Sequence, residues 1–537
     1  MSRTEKIALA ACAAVSLALR YFAFFRYRFD SDEPQHLHVA WGWTAGLVQY
    51  RDFFDNHAPL FHILTAPLLA ALGERSDILF YMRAAMLPLF AVVIVCTYLL
   101  ATRLYSTSVA LWSAVVLSLL PPFFLKSLEY RTDNLWNTVW CIALLVFLSG
   151  PPSPLRWFIG GLVLGTAMTV SLKTTLLAVT LAGAALILRW LLRDRTPVAS
   201  SAAAAVAGLA VMPAIVSAYF FSVGAFNDFI YCVFTFNTLI ERARPHTIVA
   251  PIAWPFLMAA VVIIARRSTS RVPARLFCAI AFAVFVVTLI SFWPLISPRD
   301  MLPVMPLGII FIVAAFDRRG KRIVWSTAAA AVLAGSLFYY AEGFRDHTTE
   351  FVTAMNQVLR LTRPGEWIMD LKGETIYRPR PYYNIFEMIT TQAMRKGLLL
   401  DRVPERVVAR RCYVAQADAR FFPPRARAFL NANFLDLGRL RAAGQWIRPD
   451  GTFTIAVPGP YVVVDVTGLA SGSLDGSPGS GPRELAGGAH RFDRANPRQR
   501  VAVLWAPAFA RGFSPFHLQD RDFVIAHRRE ARGRAPL

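Results

Sequence analysis

Long apolar stretches separated by short charged breaks fill the chain up to about Ala341. A helix needs roughly 20 apolar residues to cross a bilayer, and most of these stretches approach that length. The pattern predicts about eleven membrane-spanning helices, with Ala341 on the side opposite the N-terminus. We place them near residues 7–25, 80–102, 108–125, 134–149, 156–172, 174–192, 198–222, 250–266, 274–293, 301–316 and 323–341. The stretch from 156 to 192 could also be divided differently.

Two of the predicted loops are long. Residues 26–79 contain two amphipathic stretches, 35–48 and 60–72, which suit helices that lie in the membrane interface. The second long loop, residues 224–249, is a candidate for a mobile lid or a substrate-entry segment.

The sequence after Ala341 is rich in Arg, Pro and Gly, as in a soluble domain. A helical pattern over 351–361 and a strand pattern over 367–371 predict a small α/β region. Short alternating strands over 452–457, 461–466 and 501–505, with an Asp475-Gly476 turn, predict a β-sandwich-like region. The predicted domains are a transmembrane domain over 1–341, an α/β region over 342–440, and a β-sandwich-like region with a basic tail over 441–537.

Composition and charge agree with a membrane protein. The chain has 537 residues, of which 56% are hydrophobic and only 17% are charged, too few charges for a soluble protein of this length. A net charge of +22 could indicate nucleic-acid binding, but the cations lie between the predicted spans. We therefore expect no nucleic-acid partner, and we expect contacts with anionic membrane lipids instead.

The distribution of basic residues orients the predicted spans, because cytoplasmic loops are enriched in Lys and Arg. With the N-terminus in the cytoplasm, the basic loops near 3–6, 103, 156, 189–195, 266–275 and 318–322 all lie inside. We expect a multi-pass protein of the bacterial inner (cytoplasmic) membrane. Its C-terminal domain would lie on the periplasmic, extracytoplasmic side.

Acidic residues follow the first predicted span, at Asp30, Asp32 and Glu33. Acids beside lipid are costly to hold and mark functional sites by default. The structural alternative is a solvated loop start, in which Glu33-Pro34 opens the next helix. The residues that come next favour a functional site.

The predicted outer segments carry a series of motifs. The first loop contains Asp32-Glu33-Pro34-Gln35-His36, then Tyr50-Arg51-Asp52-Phe53-Phe54 and Asn56-His57-Ala58-Pro59-Leu60, and later motifs lie at 129–133, 172–175 and 298–303. This order resembles the polyprenyl-phosphate-sugar-dependent membrane glycosyltransferases of the GT-C fold. That group includes protein O-mannosyltransferases and lipid A aminoarabinose transferases. The resemblance covers residues 5 to 340, with Ala58 in place of a proline and Asp300 in place of an aromatic residue.

The resemblance implies a membrane all-α GT-C-like fold and a hexosyl- or pentosyltransferase that inverts the anomeric carbon by direct attack. Transfer needs a base for the acceptor hydroxyl. Asp32 is the candidate base, with Glu33 as its rival. Asp133 would orient the acceptor or the base, although Thr132 or Asp133 could simply cap the helix that begins there.

Cations are needed to hold the leaving phosphate. Lys173, Arg299 and Arg131 are the candidates, although a lysine at Lys173 could instead extend to the membrane interface. The candidates for other substrate contacts are Arg51, Asp52 and His57.

We expect no cofactor. A divalent metal is the alternative, since Asp32, Glu33, Asp133 and His57 could converge. Nothing in their spacing requires a metal.

The expected partners are a polyprenyl-phosphate-linked sugar donor and a lipid, glycan or protein acceptor. One alternative is a transporter or flippase of a lipid-linked sugar. The clustering of the acids on one membrane face, and the lack of a repeat between the two halves, argue against it. The other alternative is a polymerase or ligase that uses a lipid-linked oligosaccharide.

Overall fold

The computed structural model describes residues 1–240, 272–318, 321–417 and 421–518. Its N-terminal region is helical. The helices are α1 (Arg3–Arg26), α2 (Asp32–Thr44), α3 (Leu60–Leu72), α4 (Ile78–Ala84), α5 (Leu87–Leu104), α6 (Thr107–Leu119), α7 (Pro121–Lys126), α8 (Thr132–Phe147), α9 (Pro154–Met168), α10 (Thr174–Leu192), α11 (Ala199–Ser222), α12 (Phe226–Ile230), α13 (Val272–Phe292), α14 (Met305–Arg318) and α15 (Arg322–Tyr340). A π-helical turn occupies Tyr231–Thr235, and 3-10 turns occupy Phe236–Thr238, Pro298–Met301 and Glu342–Phe344.

Six of the described helical segments are long and apolar enough to cross a membrane. They are Arg3–Arg26, Ile78–Leu104, Thr174–Leu192, Ala199–Ser222, Pro273–Phe292 and Arg322–Tyr340. Every predicted span except 250–266, which lies outside the described residues, falls on a helix. The chain is therefore a multi-pass membrane protein, but the count of eleven spans is not confirmed.

Local sequence explains where several helices begin and end. The predicted span 108–125 is divided, because α6 ends at Leu119 and α7 begins at Pro121, a residue that suits only the first turn of a helix. The two amphipathic stretches of the first loop correspond to α2 and α3. Since α2 begins at Asp32, both Asp32 and Glu33 lie in its first turn. The unpaired backbone N–H groups at a helix N-terminus stabilise negatively charged side chains there.

The C-terminal region contains two sheets. Its strands are β1 (Ile368–Met369), β2 (Val414–Gln416), β3 (Phe434–Asp436), β4 (Leu440–Trp446), β5 (Thr452–Ile455), β6 (Gly459–Val464), β7 (Gly472–Leu474), β8 (Ser477–Pro478), β9 (Arg483–Leu485), β10 (Gly488–Arg494) and β11 (Ala502–Trp505). The order is β1-β2-β4-β11-β6-β9 in a seven-stranded sheet, where β3 also pairs with β4, and β5-β10-β7-β8 in a four-stranded sheet. Helices α16 (Thr349–Leu361), α17 (Met388–Arg395), α18 (Val403–Ala409), α19 (Pro424–Asn433) and α20 (Ala506–Ala510) accompany them.

The larger sheet joins the two parts of the tail. Strands β1, β2 and β3 precede residue 440, whereas β4, β6, β9 and β11 follow it. The division at 440 stays a prediction, although the sheet continues across it. The predicted turn at Asp475-Gly476 connects β7 and β8, and both residues have positive φ, 49° and 76°. This is the backbone that a two-residue hairpin favours.

The tail packs directly on the membrane region. The largest cluster of buried apolar side chains includes Leu37 of α2 and Met355 of α16. The rings of Phe29 and Phe351 meet edge to face, with centroids 5.2 Å apart. The tail therefore covers the loop that contains Asp32.

Candidate functional site

Charged side chains gather where four segments meet: the turn before α2, the start of α8, the start of α10 and the 3-10 turn Pro298–Met301. The members of this ionic network are Asp30, Asp32, Glu129, Arg131, Asp133, Lys173, Arg299 and Asp300. The structure thus brings together Asp32, Asp133, Lys173, Arg299 and Arg131, all predicted as site residues. They lie far apart in the sequence.

Asp32 lies between two cations. The Arg131 guanidinium donates to Asp30 Oδ1 at 2.9 Å and also pairs with Asp32. The second cation is Lys372, which comes from the tail. The Asp32 side chain is 30% exposed, more than any other acid of the ionic network, so a substrate can reach it.

Lys173 connects α10 to α8 and to the 3-10 turn. Its Nζ donates to Asp133 Oδ1 at 2.9 Å and pairs with Asp300. Asp300 is itself positioned by a capping box, in which the Ser297 N–H donates to Asp300 Oδ2 at 2.6 Å. The aspartate that replaces an aromatic residue of the family pattern therefore holds Lys173 in place.

Arg299 completes the opposite side of the ionic network. Its Nη2 donates to Asp30 Oδ2 at 2.6 Å, and its Nε donates to Glu129 Oε2 at 2.8 Å. Glu129 also accepts from Lys126 Nζ at 2.7 Å. Arg299 thus fixes the loop before α2 against the loop before α8.

Glu33 has a different environment from its neighbour. Its side chain is fully buried and forms an ion pair with Arg83, whose Nε donates to Glu33 Oε2 at 2.8 Å. The backbone N–H groups of Asp30 and Tyr130 donate to the same carboxylate at 2.8 and 2.9 Å. Both oxygens of Glu33 are occupied, so this residue joins α2, α4 and the turn before α8.

Neighbouring opposite charges shift the pKa values of Asp32, Asp30 and Lys173 toward their charged forms. Burial would raise the pKa of Asp32, yet Arg131 and Lys372 hold that pKa far below its usual value. Burial also opposes the ionisation of Asp30, whose pKa is lowered by Arg299 and Arg131. For Lys173, burial would lower the pKa, but Asp133 and Asp300 raise it. These groups are therefore charged at neutral pH, and Asp32 is a weak base while both cations remain attached.

Arg51 and Asp52 lie outside this ionic network. Arg51 is 46% exposed and forms a two-pronged pair with Asp52, at 2.9 and 3.0 Å. It also donates to the Val223 carbonyl at 3.2 Å, and Asp52 accepts from the Val48 N–H at 2.8 Å. These contacts connect the first loop to the end of α11. Their predicted role in substrate binding stays a prediction.

His57 lies in a second polar group next to the ionic network. Its Nδ1 is 2.8 Å from Asp55 Oδ1, and its ring centroid is 4.6 Å from that of the buried His36. Burial would lower the pKa of His57, but Asp55 and Glu387 raise it. The His57 side chain is 29% exposed, which leaves it accessible to a ligand.

Glu387 belongs to the same polar group although it comes from the tail. Its Oε1 accepts from Asn56 Nδ2 at 3.0 Å. Burial raises the pKa of Glu387 to about 7, in part opposed by the charges of His57 and Lys372. Glu387 therefore changes its charge near neutral pH.

The four residues considered for a metal are kept apart. Glu33 points to Arg83, His57 pairs with Asp55, and Arg131 stands between Asp32 and Asp133. Within 1–240, 272–318, 321–417 and 421–518, no three His, Cys, Asp or Glu side chains are arranged to hold a metal ion.

Sequence reasoning missed several members of both groups. Asp300 could have been found from the sequence, because it replaces an aromatic residue of the family pattern. Lys372 and Glu387 had none, since they lie in the tail, where the resemblance does not extend. Their positions depend on how the tail packs against α2 and α3.

Known proteins share the fold of this chain and a sequence pattern within it. Residues 56–218 match the family described as dolichyl-phosphate-mannose-protein mannosyltransferase. The chain resembles the crystal structure of ArnT from Cupriavidus metallidurans bound to undecaprenyl phosphate, with a TM-score of 0.55 and 16% identity over 82% of this chain and 98% of that one. The apo ArnT structure gives a TM-score of 0.55 and 15% identity over 81% and 97%.

A more distant likeness is to the oligosaccharyltransferase of Archaeoglobus fulgidus, with a TM-score of 0.44 and 11% identity over 80% of this chain and 71% of that one. No curated protein sequence matches the chain. The family match over residues 56–218 and the likeness of fold to ArnT confirm the predicted resemblance: the chain is a multi-pass membrane protein that resembles these glycosyltransferases and shares the fold of ArnT.

Proposed function

We propose that this protein transfers a single sugar from a polyprenyl-phosphate donor to an acceptor hydroxyl on the extracytoplasmic face of the bacterial inner membrane. The observation that carries the proposal is Asp32, an accessible carboxylate held among cations at the start of an interfacial helix. The lipid donor is supported by the ArnT structure, which contains undecaprenyl phosphate.

Asp32 is the base in this proposal, rather than Glu33, because the oxygens of Glu33 are occupied by Arg83 and by backbone N–H groups. Asp32 takes the proton of the acceptor hydroxyl while the acceptor oxygen attacks the anomeric carbon. The bond from that carbon to the phosphate oxygen breaks, and its electron pair stays on the polyprenyl phosphate. Direct attack from the face opposite the phosphate inverts the anomeric carbon.

The leaving phosphate gains one negative charge, and cations must balance it. Lys173 is 21% exposed, the most accessible cation of the ionic network, and Arg131 and Arg299 stand on either side of Asp30. Asp133 contacts both Lys173 and Arg131, which supports a role in positioning these cations. The acceptor is a hydroxyl of a lipid, a glycan or a protein.

The test is a comparison of envelope lipids and glycans by mass spectrometry. A strain that lacks the gene should miss one sugar mass, and wild-type protein should restore it. Asp32→Asn should fail to restore it at equal protein abundance, because the amide cannot accept the proton. Asp493→Asn, which alters an acid 52% exposed on the tail, is the matched control and should restore the sugar.

Restoration by Asp32→Asn would contradict the assignment of the base. Movement of a lipid-linked sugar across proteoliposomes, with no covalent product, would favour a transporter instead.

A further inference from the structure

A lysine of the tail reaches the proposed base. The Nζ of Lys372 forms an ion pair with Asp32 and donates to Ser31 Oγ at 3.0 Å. The Lys372 side chain is only 12% exposed. A lysine rarely becomes this buried without a charged partner, so the contact is part of how the tail and the membrane region fit together.

The turn that carries Lys372 is built around one buried carboxylate. Asp370 accepts from the Gly373 N–H at 2.8 Å, the Thr375 N–H at 2.9 Å and the Thr375 hydroxyl at 2.7 Å. Arg380 Nε donates to the same side chain at 2.7 Å. These bonds hold the backbone on both sides of Lys372 in one conformation.

The same turn is docked on α2. Gly373 has a φ of 94°, and a Cβ there would lie 2.6 Å from His38 Cγ, so only glycine allows this approach. His38 Nδ1 lies 2.7 Å from the Ile376 carbonyl oxygen. The buried Arg378 donates to Glu74 at 2.7 and 3.0 Å. Lys372 is therefore aimed at Asp32 by contacts before and after it.

Lys372 differs from the other cations in its number of acidic partners. Arg131 pairs with Asp30, Asp32 and Asp133. Lys173 and Arg299 pair with two carboxylates each. In the part of the chain that the structure describes, Lys372 pairs with Asp32 alone. The side chain of Lys372 is also flexible. Because it has one carboxylate partner to give up, moving it to another oxygen costs less electrostatic energy than moving Arg131, Lys173 or Arg299.

We propose that Lys372 is a catalytic residue that the tail contributes to the transfer site. In the donor-free protein its ammonium group pairs with Asp32, and in the donor complex it contacts the donor phosphate. The exchange leaves an oxygen of Asp32 free to take the acceptor proton. This inference rests on the proposed function.

The charges of the reaction fit this exchange. The donor is a phosphodiester with one negative charge, and the polyprenyl phosphate that leaves has two. Lys372 remains an ammonium group throughout and balances the charge that develops. Asp32 begins as a carboxylate and ends protonated, so no other reactant is required.

The test measures binding of undecaprenyl phosphate to the full-length protein in lipid nanodiscs. Lys372→Gln should weaken binding about tenfold, as expected for one charge-assisted contact. Lys372→Arg should keep most of the affinity. Lys396→Gln, the same change at an exposed tail lysine, is the matched control and should bind like wild type.

A double-mutant comparison separates this role from a structural one. Asp32→Asn should tighten binding when Lys372 is present, because it releases that cation, and should tighten it less in the Lys372→Gln background. Equal affinity of wild type and Lys372→Gln, or an equal effect of Asp32→Asn in both backgrounds, would overturn the proposal. If Lys372→Gln then lowered only the thermal stability, Lys372 would serve to hold the tail against the membrane region.

A second measurement does not depend on the folding of Lys372→Gln. In the Asp32→Asn protein, undecaprenyl phosphate should protect the Lys372 amine from acetylation, as measured by peptide mass spectrometry. Absence of protection would overturn the proposal. Failure of the wild-type protein to bind undecaprenyl phosphate at all would instead overturn the donor class in the proposed function.

Discussion

Asp32 and Glu33 are adjacent acids with different surroundings. Consecutive residues of an α-helix point about 100° apart, so one side chain of α2 faces Arg131 and Lys372 while the next faces Arg83. The fully buried pair of Glu33 and Arg83 is costly to break, since either partner alone would be an uncompensated buried charge. Asp32 is partly exposed, so its carboxylate can exchange partners without leaving a buried charge unpaired.

Glu33→Gln tests this distinction. It should lower the free energy of unfolding by about 3 kcal/mol, because it leaves Arg83 buried without a counter-charge. Thermal unfolding of the purified protein measures the loss, with Asp32→Asn as the matched variant of an accessible acid. An equal or larger loss in Asp32→Asn would contradict the structural role of Glu33.

Glu387 predicts a dependence of stability on pH. Its pKa rises from an ordinary 4.5 to about 7 in the folded protein. Between these pH values the folded state binds more protons than the unfolded state, so stability falls as the pH rises. Glu387→Gln removes this effect, and its stability relative to wild type should increase by about 2 kcal/mol from pH 5 to pH 8. Unfolding midpoints of wild type and Glu387→Gln at pH 5 and pH 8 measure this relative change in stability. Equal changes of both midpoints with pH would contradict the prediction.

Small residues set the distance between α9 and α11. A Cβ at Gly161 would lie 2.0 Å from the Ala205 carbonyl oxygen, and a Cβ at Gly208 would lie 2.1 Å from that of Phe158. Gly165 follows Gly161 at the GxxxG spacing that lets membrane helices approach closely. The pair of helices is therefore held by backbone-to-backbone contact.

Gly161→Ala should separate these helices and lower the free energy of unfolding by about 2 kcal/mol, since the clash is with backbone. Gly335→Ala in α15 is the matched control, because nothing lies within 4 Å of its Cβ position. That variant should be neutral or slightly stabilising, as alanine favours a helix. Unfolding midpoints in the same detergent compare the two, and equal midpoints would argue against the close contact.

The whole molecule combines a membrane region with a tail that packs on α2 and the end of α3. The turn around Lys372 docks on α2, and Arg378 joins the tail to the end of α3 through Glu74. The predicted orientation places this assembly outside the cytoplasm, where a flipped lipid-linked donor would present its sugar.

Cysteine labelling tests the orientation. Ser477→Cys lies on the exposed face of β8, and Ser200→Cys lies at the exposed start of α11. In spheroplasts, a membrane-impermeant maleimide should label the first and not the second, because the loop before α11 is predicted to be cytoplasmic. Inside-out vesicles should give the reverse result. Labelling of Ser200→Cys from outside would invert the predicted topology.

The sequence by itself determined the local features of this protein. Apolar length and amphipathic spacing depend on neighbouring residues, and they located the helices, including α2 and α3. Motifs in the predicted outer segments led to the prediction of Asp32, Asp133 and Lys173 as site residues, because such short patterns are also local. The sequence favoured Asp32 as the base but left Glu33 as its rival, since one position along a helix changes which partners a side chain meets.

Only the tertiary structure decided which charges pair. Glu33 meets Arg83 across 50 positions, Asp30 meets Arg299 across 269, and Asp32 meets Lys372 across 340. No local pattern encodes such contacts, because they depend on how separate helices and the tail pack together. The physical reason is that ionic pairing acts through space, whereas hydrophobic periodicity acts along the chain.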